Sequence, residues 1–254
     1  MRPAHGGLSA ATVVLVAHGS RDPAAGRATL ALRAAVAQAR PGVPVLATFL
    51  DFAGPRLAPT LVSLAGPAVV VPLLLTEAYH GRVDVPGEVA RARAGGAGEL
   101  GLAQVLGPVA GPVADADVLR LLVAGLLRTL GGEGFDGVVL AGAGSRHLDA
   151  LGPVDVVAEA LGTALGVPAL AGYASGAGRS VTAAVACLRA GGAERIGMAS
   201  YFLAPGRLYD RAAEQARQAG AVRVAPPLEA VPELVEAVLL RADGAARDLP
   251  VAAG

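Results

Sequence analysis

The sequence predicts an α/β protein made of two tandem, doubly wound parallel-sheet domains. Short apolar runs rich in valine alternate with longer stretches of helical spacing, which is typical of parallel strands joined by right-handed helical crossovers. The second half of the 254-residue chain then repeats the motifs of the first half. We therefore expect an internal duplication, with a cleft between the two domains lined by their facing loops.

The first predicted strand, residues 12–17, has the sequence TVVLVA and runs into the polar loop HGSR. An unbroken run that contains several β-branched residues fits a strand buried on both faces. Pro23 then opens an alanine- and leucine-rich stretch that keeps helical spacing to Ala39. Together these segments place His18 at the carboxyl end of a buried strand, the edge where open α/β sheets bind ligands.

Three further strands and three further helices complete the first half. The strands are expected at 41–50, 68–75 and 102–108, and the helices within 52–65, from near 86, and at 114–130. The second strand runs into Asp51, and a polar loop that contains His80 follows the third. The pattern is strand, helix, strand throughout, as a parallel sheet requires.

Three motifs carry the repeat. FDGVVLAGAGSR matches TVVLVAHGSR, VPALAGYASGAGRS matches VPVLATFLDFAGPR, and GMASYFLAPGRLYD matches PLLLTEAYHGRVD, at offsets of 125, 124 and 125 residues. We expect a flexible leader at 1–10, an N-terminal domain at 11–132, a degenerate C-terminal domain at 133–242 and a flexible tail at 243–254.

The two halves differ at the residues that could carry chemistry. The histidines and the acid of the first half are absent from the second half, whereas the loop arginines persist. The matched positions are His18 and Ala143, Asp51 and Ser175, His80 and Pro205, Arg21 and Arg146, and Arg82 and Arg207. The first half is therefore expected to carry the chemistry, and the second half scaffold and binding.

His18, Asp51 and His80 follow three strands of one predicted sheet, so their side chains are expected to converge at its carboxyl edge. Two imidazoles and a carboxylate suit either a divalent metal ion or proton transfer. Such a set would hold a metal loosely, which fits delivery better than a closed structural site. Asp51 also fits a helix cap, and the participation of Glu77 and His147 stays open.

Arginines flank these loops in both halves. Arg21, Arg82, Arg146 and Arg207 would together bind a ligand with several carboxylates or phosphates, because guanidinium groups offer planar paired donors. The alternative is a salt bridge that holds each loop in shape. Neither the dinucleotide-binding glycine pattern nor a P-loop occurs in a strand–helix context, and the chain has no lysine to complete a P-loop.

Charge and composition exclude several classes of protein. The 21 basic and 21 acidic residues cancel, so nothing indicates a surface for nucleic acid or an anionic membrane. A single cysteine, Cys187, excludes an internal disulfide framework, and we expect it to be buried. No apolar run approaches the length of a membrane span or forms a signal-peptide core, so we expect a cytoplasmic protein.

The motifs VAHGSRDPA, FLDFAGPRL and PLLLTEAYHGRVDVP, with YFLAPGRLYDR in the second half, resemble the sirohydrochlorin chelatase family in its long, two-domain cobalt and iron type. The resemblance extends from about residue 13 to 240. Asp51 stands where that family commonly has glutamate, AGP replaces its AEP, and EAY replaces a glycine-rich turn before the second histidine.

The resemblance implies a chelatase-like fold and an ATP-independent lyase that inserts Co²⁺ or Fe²⁺ into sirohydrochlorin, for cobalamin or sirohaem. His18 and His80 would present the metal and accept the pyrrole protons, with Asp51 orienting an imidazole or adding a ligand. The four loop arginines would hold substrate carboxylates, and the macrocycle would rest on Tyr79 and Tyr201. We expect no permanent cofactor, no nucleic-acid or membrane partner, and a monomer.

Two other functions would use the same residues. A non-catalytic carrier of divalent metal or tetrapyrrole would use the same cleft, and only turnover would separate it from an enzyme. A phosphoryl-transfer hydrolase with His18 as nucleophile is disfavoured, because such enzymes carry an arginine before the histidine. The choice among cobalt, iron and nickel stays open, because imidazole and carboxylate bind all three.

Overall fold

The computed structural model describes residues 11–77, 80–109, 116–132, 134–146 and 151–249. The described chain forms two four-stranded parallel sheets and divides into two compact units. The first unit comprises the residues up to Leu106 together with those from Val235 onward, and the second runs from Gly107 to Leu234. The predicted fold class, two tandem α/β domains with parallel sheets, is confirmed.

The first unit contains one sheet with the strand order β2-β1-β3-β4, in which every neighbouring pair is parallel. Its strands and helices are, in chain order, β1 (Thr12–Ala17), α1 (Pro23–Ala39), β2 (Val45–Phe49), α2 (Leu57–Ser63), β3 (Ala68–Pro72), a π-helical turn (His80–Asp84), α3 (Val85–Ala94) and β4 (Leu100–Leu102).

The second unit has the corresponding strand order, β6-β5-β7-β8, again with parallel pairs. Its elements are α4 (Ala116–Leu130), β5 (Gly137–Gly142), α5 (Gly152–Leu165), β6 (Ala169–Tyr173), α6 (Val181–Ala190), β7 (Ile196–Ser200), α7 (Arg207–Gln218) and β8 (Arg223–Val224). The last helix, α8 (Pro232–Ala246), starts here and belongs to the first unit from Val235 onward. No helix of the described chain is long and apolar enough to span a membrane.

Strand β1 is the centre of the first core. Val13, Val14, Leu15 and Val16 have no solvent exposure, so both faces of the strand are covered and its run needs no polar alternation. Helix α1 begins where the sequence predicts, because the carboxylate of Asp22 accepts a hydrogen bond from the amide of Ala24 (2.8 Å) and proline occupies the first helical position.

The strand order places the predicted site residues at a topological switch point. From β1 the chain crosses to β2 on one side and then returns to β3 on the other side. In doubly wound sheets the crevice at such a reversal, outside the carboxyl ends of the strands, is where ligands bind. The loops after β1 and β3, which contain His18 and His80, border this crevice in the first unit.

The offset between the halves is not constant. The matched strands β1 and β5 begin 125 residues apart, and β2 and β6 begin 124 apart. Ala68 of β3 pairs with the first residue of β1, and Ile196 of β7 pairs with the first residue of β5, so the third strands lie 128 apart. The glycine–arginine pairs at 81–82 and 206–207 remain 125 apart. The loop after β3 is therefore three residues longer than the loop after β7.

Three further expectations differ from the structure. The strand expected at 102–108 is instead the short β4, which ends at Leu102, and the apolar residues that follow it are buried without forming a strand, since burial alone produces the same apolar run. Strand β3 ends at Pro72, although the amide of Leu73 still donates to the carbonyl of Val16 (2.8 Å). Cys187 is exposed, because Val181, Ala184, Val185 and Leu188 form the buried face of α6.

The compact units do not follow a boundary at residue 132. Helix α4 packs against α5 and β7 of the second unit. Helix α8 belongs to the first unit from Val235 onward, where Asp243 pairs with Arg40 (2.7 Å) and Arg241 donates to the amide oxygen of Gln104 (2.9 Å). Each half of the sequence thus contributes its last helix to the compact unit formed by the other half. Residues 243–246, which we expected to belong to a flexible tail, are part of helix α8.

Removal of residues 243–254 is expected to lower the melting temperature by about 5 °C. The truncation deletes the ion pair of Asp243 with Arg40 and the buried side chains of Ala245 and Ala246, which together contribute about 2 kcal/mol. A chain that ends at Leu249 keeps all of these contacts and is the matched control. Thermal unfolding followed by circular dichroism measures the difference, and equal melting temperatures for the two truncated chains would contradict this packing of α8.

Candidate active site

The loop after β1 holds His18 against the loop after β2 through their backbones. The amide of Asp51 donates to the carbonyl of His18 at 2.8 Å. Gly19 has a φ of 92°, and a β-carbon at this position would overlap the carbonyl oxygen of Asp51. Only glycine allows the two loops to approach this closely. The structure therefore brings His18 and Asp51 together, as their positions after neighbouring strands suggest.

The imidazole of His18 is half-buried. Its Nδ1 lies 3.2 Å from the carbonyl oxygen of Gly19 and donates to it when it carries the ring proton. In that tautomer Nε2 has the lone pair that a proton or a metal ion requires.

Asp51 is a charged, largely exposed neighbour of His18. Its Oδ1 accepts a hydrogen bond from the amide of Phe52 at 2.9 Å and lies 3.4 Å from a guanidinium nitrogen of Arg56. The hydrogen bond from the amide of Phe52 is the main reason that the pKa of Asp51 lies below its ordinary value of 3.8, and Arg56 and His18 lower this pKa further. Partial desolvation of the carboxylate acts in the opposite direction. Asp51 is therefore ionised at neutral pH.

Replacing Arg56 with alanine is expected to raise the pKa of Asp51, because the carboxylate loses a hydrogen bond and a positive neighbour. Because the pKa is lowered in the native protein, ionised Asp51 favours folding above pH 3.8, and this contribution is lost as the pH falls through the lowered value. An NMR titration of the Asp51 carboxyl carbon measures the change, with exposed Arg27→Ala as the control. An unchanged pKa in Arg56→Ala would show that the pair does not form in solution.

An aromatic residue that the sequence analysis did not single out lies beside His18. The ring centroids of Phe52 and His18 are 6.1 Å apart with an interplanar angle of 19°. The guanidinium carbon of Arg21 lies 5.2 Å from the centroid of the same phenylalanine ring. An apolar residue between the acid and the glycine–proline turn of FLDFAGPRL was the only signal for it in the sequence.

The second predicted histidine follows the loop in which the first half is three residues longer than the second. His80 is the first residue of the π-helical turn that leads into α3, directly after the longer loop. Single π-helical turns associated with α-helices occur frequently at functional sites. Tyr79 and His147 lie outside the described residues.

The four predicted arginines have different surroundings. Arg21 lies over Phe52, whereas Nε of Arg82 lies 3.6 Å from a carboxylate oxygen of Glu77, which makes Glu77 an ion-pair partner of that arginine. Arg146 and Arg207 are exposed in the second unit. Within the described ranges, no three His, Cys, Asp or Glu side chains form a group that could hold a metal ion.

The second unit keeps the backbone arrangement without the titratable side chains. Gly144 has a φ of 87°, a β-carbon there would overlap the carbonyl oxygen of Ser175, and the amide of Ser175 donates to Ala143 at 3.2 Å. Ala143 and Ser175 thus occupy the places of His18 and Asp51. The expectation that Tyr201 offers a face to a ligand is wrong, because this residue is only 3 % exposed.

The family model of CbiX matches the chain twice, at residues 12–112 and 137–245. The chain belongs to the CbiX family. Each CbiX match contains one of the two parallel sheets and one set of the loops described above. The family relationship expected from the sequence motifs is thereby confirmed. No curated protein sequence matches the chain.

Solved structures share the fold of this CbiX-family chain. SirB from Bacillus subtilis with Fe³⁺ has a TM-score of 0.76 at 20% identity and covers 93% of this chain and 96% of its own. The sirohydrochlorin chelatase SirB from Bacillus subtilis subspecies spizizenii, in complex with cobalt, has a TM-score of 0.74 at 20% identity, with coverages of 94% and 96%. CbiX, the terminal enzyme for siroheme biosynthesis in denitrifying bacteria, has a TM-score of 0.62 at 22% identity, with coverages of 90% and 98%.

Proposed function

We propose that this CbiX-family protein inserts a divalent metal ion, Co²⁺ or Fe²⁺, into sirohydrochlorin without ATP, in the synthesis of cobalamin or sirohaem. One observation carries the proposal. The same glycine-dependent backbone contact occurs in both units, but it holds His18 beside ionised Asp51 in the first unit and Ala143 beside Ser175 in the second. The SirB structures with Fe³⁺ and with cobalt support a metal as substrate.

Metal insertion requires a base near the point where the metal enters, because two pyrrole N–H groups lose their protons. An imidazole both binds divalent ions and accepts protons near neutral pH. In the proposed mechanism Nε2 of His18 presents the metal and then accepts one proton, and His80 serves the second. The carboxylate of Asp51 stabilises the positive charge that develops on His18.

Substrate binding is proposed for the loop arginines. Sirohydrochlorin carries carboxylates around a flat macrocycle, and arginine binds carboxylates through paired donors. Arg21 and Arg82 would serve in the first unit, and Arg146 and Arg207 in the second, with Tyr79 against the macrocycle. We propose that the protein acts as a monomer, without a resident cofactor.

A visible-absorbance time course of sirohydrochlorin with Co²⁺ or Fe²⁺ tests the function. With substoichiometric protein we expect the metallated spectrum to form over many turnovers and faster than in the protein-free control. A spectral change that stops in proportion to the protein would instead indicate a non-catalytic carrier of metal or tetrapyrrole.

A further inference from the structure

The backbone conformation of Phe52 is unusual for its side chain. This residue has a φ of 58°, in the left-handed region that side chains with a β-carbon disfavour. The equivalent residue of the second unit is Gly176, with a φ of 81°. Both loops thus require a positive φ at this position. The second unit satisfies it with glycine, whereas the first unit places an aromatic residue there at a conformational cost.

Burial of the Phe52 ring does not offset that conformational cost. Phe52 is 52% exposed, so its ring adds little to the hydrophobic core. Strained residues of this kind cluster at active sites and ligand clamps, where the surrounding structure holds them for function. A function of the exposed ring is therefore the reason that phenylalanine, and not glycine, occupies this position.

The surroundings of Phe52 combine two kinds of recognition. Its ring lies nearly parallel to the imidazole of His18, and the guanidinium of Arg21 lies 5.2 Å from its centroid. An exposed ring of this kind offers a flat apolar surface, and the adjacent arginine offers donors for an acidic group. A flat conjugated ligand with carboxylates at its rim matches both features.

Exposed apolar side chains also follow two of the other loop arginines in the sequence, one in each unit. Val83 follows Arg82 in the π-helical turn and is 47% exposed. Leu208 follows Arg207 at the start of α7 and is 42% exposed. Phe52 differs from them in contacting both an arginine, Arg21, and a predicted catalytic histidine, His18.

We propose that Phe52 is a substrate-contacting residue whose ring packs on the tetrapyrrole macrocycle and positions it next to His18, with Arg21 binding a carboxylate at the rim. This inference rests on the proposed function and adds a specificity-determining contact to it. It assigns to Phe52 the binding of the tetrapyrrole, and neither metal binding nor proton transfer.

The test compares Phe52→Gly with Phe52→Tyr. Because Gly176 already occupies the equivalent conformation, Phe52→Gly is expected to keep the melting temperature of the parent protein. It should raise the KM for sirohydrochlorin about tenfold and change kcat less than about twofold, since a lost aromatic contact of this kind weakens binding by that order. Phe52→Tyr should restore the KM. Leu30→Ala, which removes an equally exposed apolar side chain from α1, should change neither constant.

A second measurement separates failure of this inference from failure of the proposed function. The Kd of metal-free sirohydrochlorin, from the change in its absorbance on titration with protein, needs no turnover and should rise about tenfold in Phe52→Gly. An unchanged Kd and KM in a folded Phe52→Gly protein would overturn the role of Phe52 even if metal insertion proceeds. If the parent protein shows no turnover but Phe52→Gly still binds sirohydrochlorin more weakly than the parent does, the Phe52 contact is supported and the chelatase function is overturned.

Discussion

Replacement of His18 by alanine is expected to lower the turnover of metal insertion by about 10²–10⁴-fold, the range associated with loss of a positioned acid or base. His18 lies at the switch point of the first sheet, and its Nδ1 is oriented toward the carbonyl oxygen of Gly19. Alanine removes both the lone pair for the metal and the proton acceptor. The visible-absorbance assay with sirohydrochlorin and Co²⁺ measures the loss.

The duplication supplies an internal control for this substitution. Ala143 occupies the equivalent position in the second unit, with the same glycine-dependent contact to its neighbouring loop. The loop therefore tolerates alanine, and His18→Ala should unfold at the temperature of the parent protein. Ser175→Ala removes a side chain from the corresponding loop of the second unit and should leave turnover unchanged. Full turnover by a folded His18→Ala protein would remove His18 from the mechanism.

Replacement of Gly19 by alanine is expected to lower the free energy of unfolding by at least about 2 kcal/mol and to abolish turnover. The new methyl group requires a disfavoured positive φ and overlaps the carbonyl oxygen of Asp51. The two loops must then separate, which moves His18 away from Asp51. Urea denaturation measures the stability, and the absorbance assay at a temperature where the variant is folded measures the turnover.

Gly144→Ala is the matched variant, because its methyl group would overlap the carbonyl oxygen of Ser175 in the same way. The two substitutions should cost similar stability. In Gly144→Ala the loss of turnover should match the loss of folded protein. In Gly19→Ala it should be larger, since only the first unit holds a histidine and an acid at this contact. Equal turnover in the two variants, at equal folded fractions, would contradict a dependence of the chemistry on the spacing of His18 and Asp51.

Local sequence patterns were sufficient to predict the fold class and, within the candidate site, the proximity of His18 and Asp51. Strand β1 could be predicted from its four consecutive aliphatic residues, all of them buried, because a strand covered on both faces needs no polar residue. Asp51 was predictable as a neighbour of His18, because parallel strands end at a shared edge and both residues directly follow strands. The roles of His18, His80, Asp51 and the arginines remain predictions.

The sequence by itself determined the two duplicated α/β halves, their family and the position of His18, because strand burial and loop motifs are local properties of the chain. Tertiary structure alone decided which compact unit α4 and α8 join. An amphipathic pattern shows that a helix buries one face, but it does not show which surface that face packs against. Tertiary structure also decided that Phe52 stands exposed beside His18 and that Tyr201 is buried. Backbone conformation and packing between distant segments set these features, and neither is encoded in the spacing of residues along the chain.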